Sequence, residues 1–156
     1  MTPNARHFPF LLNRSLLRWG PAVAWAGMIY LFSSELFSAR GTATWIFPFL
    51  RWLFPAADWP TIFFIHDVIR KAGHFIEFFI LSLFLLRGVR GERAGWNLRW
   101  ALACIALAAA YAALDEFHQA FVPGRVASPD DVLIDTAGAS FAQLAAALRT
   151  RISRGE

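Results

Sequence analysis

The chain has 156 residues and a formal net charge of +4, with 57% hydrophobic and only 17% charged residues. Soluble domains are about 45–50% apolar and about 25% charged, so this composition excludes an ordinary soluble globule, and its hydrophobicity excludes a disordered chain. The basic residues are 14 arginines and one lysine that fall between apolar segments, whereas a nucleic-acid-binding protein gathers such charge in one patch. The composition therefore predicts an integral membrane protein that binds no nucleic acid.

Four apolar segments are long enough to cross a membrane, which takes roughly 20 residues. They cover about residues 19–37, 65–86, 100–119 and 131–148. A cleaved signal peptide is the competing interpretation of the first segment, but that segment continues past the usual length and is rich in aromatic residues. The pattern predicts an all-α membrane protein, a four-transmembrane-helix bundle, with residues 1–156 forming a single domain.

Residues 44–55, between the first two spans, are too few to cross a membrane and are very rich in tryptophan and phenylalanine. Aromatic side chains of this kind concentrate at headgroup depth, so we favour a segment that lies in the membrane interface. A re-entrant segment packed on the helices is the alternative.

Positive charge predicts the orientation, because cytoplasmic loops carry an excess of arginine and lysine. Ten of the fifteen basic residues lie in the N-terminal tail, in the loop between spans two and three, and in the C-terminal tail. These positions predict a multi-pass protein with both termini in the cytoplasm (N-in/C-in).

Most acidic residues then fall at the outer ends of the last three spans: Asp67, Glu77, Asp115, Glu116, Asp130, Asp131 and Asp135. A charged side chain at the centre of a spanning helix costs about 2.5–3.5 kcal/mol, and less near the helix ends. Several such groups must therefore face one another or water instead of lipid. The sequence predicts a polar pocket open to the outer face of the membrane.

Helical spacing selects the candidate residues of this pocket. His74 lies three residues from both Lys71 and Glu77, and Asp115 and Gln119 lie one helical turn apart. Paired carboxylates beside a histidine suit acid–base chemistry, and cationic side chains suit an anionic group. The candidate catalytic residues are His74, Glu77, Asp115, Glu116 and Asp135, and the candidate ligand-binding residues are Lys71, Gln119, Arg125 and Asp131.

Several alternatives remain open at these positions. Carboxylates with histidine could ligate a divalent cation such as magnesium, calcium, manganese or zinc, although no diagnostic metal motif is present. Arg125 either reaches lipid headgroups or enters the pocket. His66 and Asp67, near the start of a span, are expected to be solvated. The single cysteine, Cys104, excludes a disulfide framework and a thiolate metal cluster.

Three strings within about residues 67–140 resemble the VanZ-like family of small bacterial membrane proteins: KAGHFIEF (residues 71–78), YAALDEFHQAFVPGR (residues 111–125) and DDVLIDTAG (residues 130–138). Asp135 stands where the family often has asparagine. The family is named for a member linked to resistance to glycopeptide antibiotics such as teicoplanin. The resemblance implies a location in the bacterial cytoplasmic membrane and leaves the chemistry open.

Two functions follow as hypotheses. In the first, the outer-facing pocket binds or acts on a cell-envelope or lipid-linked ligand and influences glycopeptide resistance. In the second, the protein is a non-catalytic assembly or interaction protein whose polar cluster only fastens the helices. A proton or cation pathway is less favoured, because residues 79–86 offer only Ser82 as a polar group in the inner half of the second span. Whether the chain is an enzyme, and in what oligomeric state, the sequence leaves open.

Overall fold

A computed structural model of the chain describes residues 8–35, 39–125 and 127–155. Its helices are α1 (Phe8–Phe32), α2 (Ala39–Leu53), α3 (Trp59–Arg90), α4 (Leu98–Gln119) and α5 (Pro129–Arg154), and the described residues contain no strand. The prediction of an all-α chain is therefore confirmed.

The end of α1 and the start of α3 differ from the boundaries predicted for the first two spans. The first span was predicted to reach residue 37, but α1 ends at Phe32, and residues 36–37 lie outside the described residues. Helix α3 begins at Trp59, because the carboxylate of Asp58 accepts a hydrogen bond from the Thr61 backbone N–H at 3.0 Å and caps the helix there. Hydrogen bonds from the side chain and backbone of Thr61 also hold the pKa of Asp58 below its usual range.

Most of the aromatic segment, residues 44–53, belongs to helix α2. Helix α2 packs against the start of α3, where Phe47 makes edge-to-face contacts with Phe63 and His66. Leu50 is buried on this side, whereas Trp45 and Trp52 on the other side are 81% and 75% exposed. The aromatic segment is therefore an amphipathic helix with one open aromatic face.

Among the described residues, two helices are long and apolar enough to cross a membrane, α3 and α4. Helix α5 is less apolar because its buried face carries Asp131, Asp135 and Gln143. Helix α1 contains Pro21 and several tryptophan and glycine residues, which lower its hydropathy.

Helix α3 occupies the centre of the bundle and packs against each of the other four helices. The core joins large side chains of α1 and α3, such as Ile29 and Phe78, to alanines of α4 and α5, such as Ala108 and Ala139. Small residues let membrane helices approach closely, so the alanine-rich faces of α4 and α5 determine the tight packing.

Helices α3 and α5 approach each other closely at Gly138 of α5. A Cβ atom at this position would lie 2.2 Å from the backbone carbonyl oxygen of Phe75 in α3. One to two turns further along, Gln143 donates hydrogen bonds to the hydroxyl and the carbonyl oxygen of Ser82, at 2.9 and 3.1 Å, and Ser82 donates to the carbonyl oxygen of Ala139. These contacts fix the position of α5 along α3.

Candidate functional site

One end of the bundle collects most of the buried polar side chains that the structure describes. Helices α1 and α4 end there, and α3 and α5 begin there. The first half of α3 contributes a stripe at helical spacing, which consists of His66, Arg70, His74 and Glu77. Because α3 packs against each of the other four helices, this stripe faces groups from α1, α2 and the connection between α4 and α5.

A cavity of about 260 Å³ lies beside this stripe. All four stripe residues line it, together with Ser33 at the end of α1, Thr42 of α2 and Arg125 of the α4–α5 connection. His66 is 8% exposed and its Nε2 lies 3.2 Å from the Thr42 hydroxyl. The expectation that His66 is solvated is therefore wrong, since α2 covers it. We call this space the His74 cavity.

Behind the cavity, His74 lies against two carboxylates of α5 that are fully buried. Its Nδ1 is 3.3 Å from Asp135 Oδ1, and its Nε2 is 4.0 Å from Asp131 Oδ2. Asp131 Oδ2 also accepts a hydrogen bond from Arg70 Nη1 at 2.8 Å. An imidazole next to a buried carboxylate can act as a general acid or base.

A second polar group joins the ends of α1 and α4. Asp115 Oδ2 accepts hydrogen bonds from Ser33 Oγ and from Gln119 Nε2, both at 2.7 Å. Arg125 donates to the backbone carbonyl oxygen of Phe32 and makes a long hydrogen bond of 3.5 Å to Gln119 Oε1. Three of these side chains, those of Ser33, Asp115 and Gln119, are buried.

Every buried carboxylate at this end has at least one oxygen with no hydrogen-bond partner among the described residues. These atoms are Asp115 Oδ1, Glu116 Oε1, Asp131 Oδ1 and both oxygens of Asp135. Glu116 uses its other oxygen to accept a hydrogen bond from the Ser128 backbone N–H at 2.6 Å. Burying an unpaired carboxylate is costly, so these oxygens favour binding of a proton or a cation.

Three of these side chains could share one metal ion. His74, Glu116 and Asp131 each offer a ligand atom, and the three atoms lie within 4.8 Å of one another. Two carboxylate oxygens with one imidazole suit Mn²⁺ or Zn²⁺ best, because imidazole favours zinc and carboxylate favours harder cations. Asp135 adjoins this set through its contact with His74.

The structure gathers eight of the nine predicted site residues around the cavity or directly behind it. Lys71 does not join them, because its ammonium forms a partly exposed ion pair with Asp67 at 2.9 Å. The sequence left open whether Arg125 reaches lipid headgroups or enters the pocket. In the structure Arg125 lines the cavity.

Sequence reasoning did not select Arg70 or Ser33, although both contact predicted residues. For Arg70 a signal exists, since His66, Arg70, His74 and Glu77 follow one helical stripe.

The family model described as VanZ/LLP1 matches residues 18–149. No curated protein and no solved structure shows significant similarity to the chain. Because the match covers most of the chain, the chain belongs to the VanZ/LLP1 family, as the resemblance predicted. The family and the two apolar helices together indicate a membrane protein.

Proposed function

We propose that this member of the VanZ/LLP1 family crosses the bacterial cytoplasmic membrane four times, through α1, α3, α4 and α5, with both termini in the cytoplasm. The shortest of these helices has 22 residues, or about 33 Å, and the hydrocarbon core is roughly 30 Å thick. Each helix exposes large apolar side chains, for example Val23, Phe64, Leu114 and Leu133. Exposed apolar surface around a bundle is what lipid contact requires.

The two ends of the bundle support the orientation. The end opposite the His74 cavity carries Arg14, Arg18 and Arg87 among many other arginines, and this excess is typical of the cytoplasmic side. The His74 cavity then opens toward the outer face. Helix α2 lies in the outer interface, and the exposed Trp45 and Trp52 reach headgroup depth.

The cavity is proposed to bind the phosphate group of a lipid-linked cell-envelope ligand. The observation that carries this proposal is that Arg70 and Arg125 line one cavity with His66 and His74. Guanidinium groups form strong charge-assisted hydrogen bonds with phosphate oxygens. Exposed apolar side chains of α2 and α3 around this end, such as Phe49 and Ile69, would contact a lipid chain.

His74 is proposed to exchange a proton with the bound ligand, while Asp135 orients the imidazole. This role makes the cavity a site for acid–base chemistry on an envelope precursor. Any influence of the protein on the response to glycopeptide antibiotics, as the family name suggests, would act through the same ligand.

The binding experiment compares a short polyprenyl phosphate with the corresponding polyprenol, using purified protein in mild detergent and native mass spectrometry. We expect the phosphate to bind and the alcohol not to bind. Arg125→Gln should weaken binding of the phosphate by about tenfold or more, because one charge-assisted contact is lost. Arg125→Lys, which keeps the charge, should lose less.

Arg51→Gln is the matched control, because Arg51 lies on α2 at the same end, bonds to the Ala57 carbonyl oxygen and does not line the cavity. This variant should bind like the wild type. Equal binding of phosphate and alcohol, or equal losses in Arg51→Gln and Arg125→Gln, would contradict the proposed ligand class.

A divalent cation at His74, Glu116 and Asp131 is the second candidate, and the unpartnered oxygens of Glu116 and Asp131 favour it. Purified protein loaded with Mn²⁺ or Zn²⁺ and then dialysed should retain about one ion per chain by elemental analysis. Glu116→Gln should reduce the retained metal several-fold. Asp130→Asn, which removes an exposed carboxylate next to Asp131, should retain it. Retention of the ion by both variants would exclude this site.

The fastening hypothesis is favoured by one part of the cluster. Ser33, Asp115 and Gln119 hydrogen-bond to one another and connect α1 to α4. Interhelical hydrogen bonds of this type contribute about 0.6 kcal/mol each on average. We therefore assign fastening to these three residues, of which Ser33 also lines the cavity, and ligand contact to the other cavity residues.

A further inference from the structure

A second and larger cavity lies at the opposite, basic end of the bundle. Its volume is about 680 Å³, compared with about 260 Å³ for the His74 cavity. The end of α3, the α3–α4 connection and the last turns of α5 line it. Four arginines line it, namely Arg87, Arg90, Arg149 and Arg154, and Trp96, Thr150 and Ser153 are its other polar lining residues. We call it the arginine cavity.

The charge of this cavity is not neutralised within the part of the chain that the structure describes. None of its four arginines forms an ion pair with a described carboxylate. Glu92, the acidic residue of the adjoining connection, instead contacts Arg14 and Arg18 of α1, at 2.5 and 2.7 Å. Four like charges around one space favour an anionic occupant, because the occupant relieves their mutual repulsion.

Two hydrogen-bond donors in the same wall are buried without an acceptor among the described residues. They are the Nε of Arg90 and the indole Nε1 of Trp96. A buried donor without an acceptor is unfavourable, so the wall lacks a group that accepts hydrogen bonds. A phosphate supplies several acceptor oxygens and a negative charge together, which meets both requirements.

The remaining wall is apolar and continues from the arginines toward the middle of the bundle. This apolar part includes Phe79, Leu83 and Leu86 of α3 with Ala145 and Ala146 of α5. Leu83 is 38% exposed, so this wall is open to the surroundings of the bundle. An acyl chain could lie along it while the headgroup lies among the arginines.

We propose that the arginine cavity binds an anionic phospholipid, with the phosphate held between Arg87, Arg90 and Arg149 and an acyl chain on the apolar wall of α3 and α5. Basic pockets between membrane helices on the cytoplasmic side are suited to acidic lipid headgroups. The proposal requires that the chain lies in a membrane and is independent of the ligand of the His74 cavity. The lipid would join α3 to α5 beyond the Gln143–Ser82 hydrogen bond, toward the basic end of the bundle.

The experiment measures lipid binding to the full chain in mild detergent by native mass spectrometry. The probes are phosphatidylglycerol, zwitterionic phosphatidylcholine and water-soluble glycerol 1-phosphate. We expect retention of one phosphatidylglycerol, with a preference of about tenfold or more over phosphatidylcholine, because only the acidic headgroup neutralises the arginines. Glycerol 1-phosphate should bind more weakly, since it lacks the acyl chains.

The double variant Arg87→Gln/Arg149→Gln should lose most of this preference. Its matched control is Arg99→Gln/Arg151→Gln, which removes the same charge from exposed residues at the same end that do not line the cavity. The control should bind phosphatidylglycerol like the wild type. Arg125→Gln, which alters only the His74 cavity, should do so as well.

Equal losses in the two double variants would show general attraction of acidic lipid to a basic surface and would overturn the proposed site. Binding of phosphatidylcholine as strong as that of phosphatidylglycerol would also overturn it. Binding of glycerol 1-phosphate as tight as that of the lipid would assign the cavity to a soluble phosphate instead. If the first double variant does not fold, Trp96→Phe tests the proposed site instead. This variant removes one hydrogen-bond donor of the wall and should weaken binding of phosphatidylglycerol several-fold, and unchanged binding would overturn the site.

Discussion

Arg70→Met is expected to destabilise the fold by about 3 kcal/mol or more and to abolish ligand binding in the His74 cavity. Arg70 makes a 2.8 Å ion pair with Asp131, a carboxylate with no exposed surface. Removing the cation leaves Asp131 beside Asp135 and Glu116 without its partner, and an uncompensated buried charge is strongly unfavourable. The measurements are thermal unfolding in detergent, without added divalent cations, and binding of polyprenyl phosphate.

Lys71→Met is the matched control for this prediction. Lys71 is the neighbouring cation and pairs with the same Asp67 that Arg70 approaches at 3.6 Å, but its own pair is partly exposed. Exposed ion pairs contribute little, so Lys71→Met should unfold and bind like the wild type. Adding Asp131→Asn to Arg70→Met should restore much of the lost stability, because the unpaired charge is then gone. Equal effects of the two single variants would show that Arg70 has no special role.

Gly138→Leu is expected to be the most disruptive single change in the bundle. Even a Cβ atom at this position would lie 2.2 Å from the Phe75 carbonyl oxygen, which is backbone and cannot turn away. Helices α3 and α5 would have to separate, and Asp131 and Asp135 would move away from His74 with α5. Overpacking of this kind costs about 3 kcal/mol, and Gly138→Ala should already show much of the loss.

The control is Gly27→Ala, a glycine inside α1 where an added Cβ meets no atom within 4 Å. Alanine forms helix better than glycine by about 1 kcal/mol, so this variant should be as stable as the wild type or more so. The stability of the Gly138 and Gly27 variants is measured by the unfolding temperature and by the yield of monodisperse protein. If Gly138→Ala were as stable as Gly27→Ala, the close contact of α3 and α5 would not determine the site.

The polar end of the bundle illustrates what can be predicted from residues alone. The sequence predicted that acidic and histidine side chains near the ends of apolar segments converge, because lipid would not solvate them. Spacing of three and four residues then selected His74, Glu77, Asp115 and Gln119. Prediction failed where the contact partner of a side chain depends on the rotation of α3 about its own axis. Arg70 and Lys71 are adjacent cations near His74, and only packing of α3 against α5 directs Arg70 toward Asp131 and leaves Lys71 at the surface.

By itself, the sequence determined the helical class, the family and the gathering of charge at the two ends, since these follow from composition, motifs and the exclusion of charge from lipid. Only the tertiary structure decided which oxygens of Asp131 and Asp135 lack a partner, that α2 covers His66, and that four arginines line a second cavity. The reason is that a periodic pattern gives the face of a helix only to within a broad sector. Contacts between side chains depend on the rotation and offset of each helix, which close packing at residues such as Gly138 fixes.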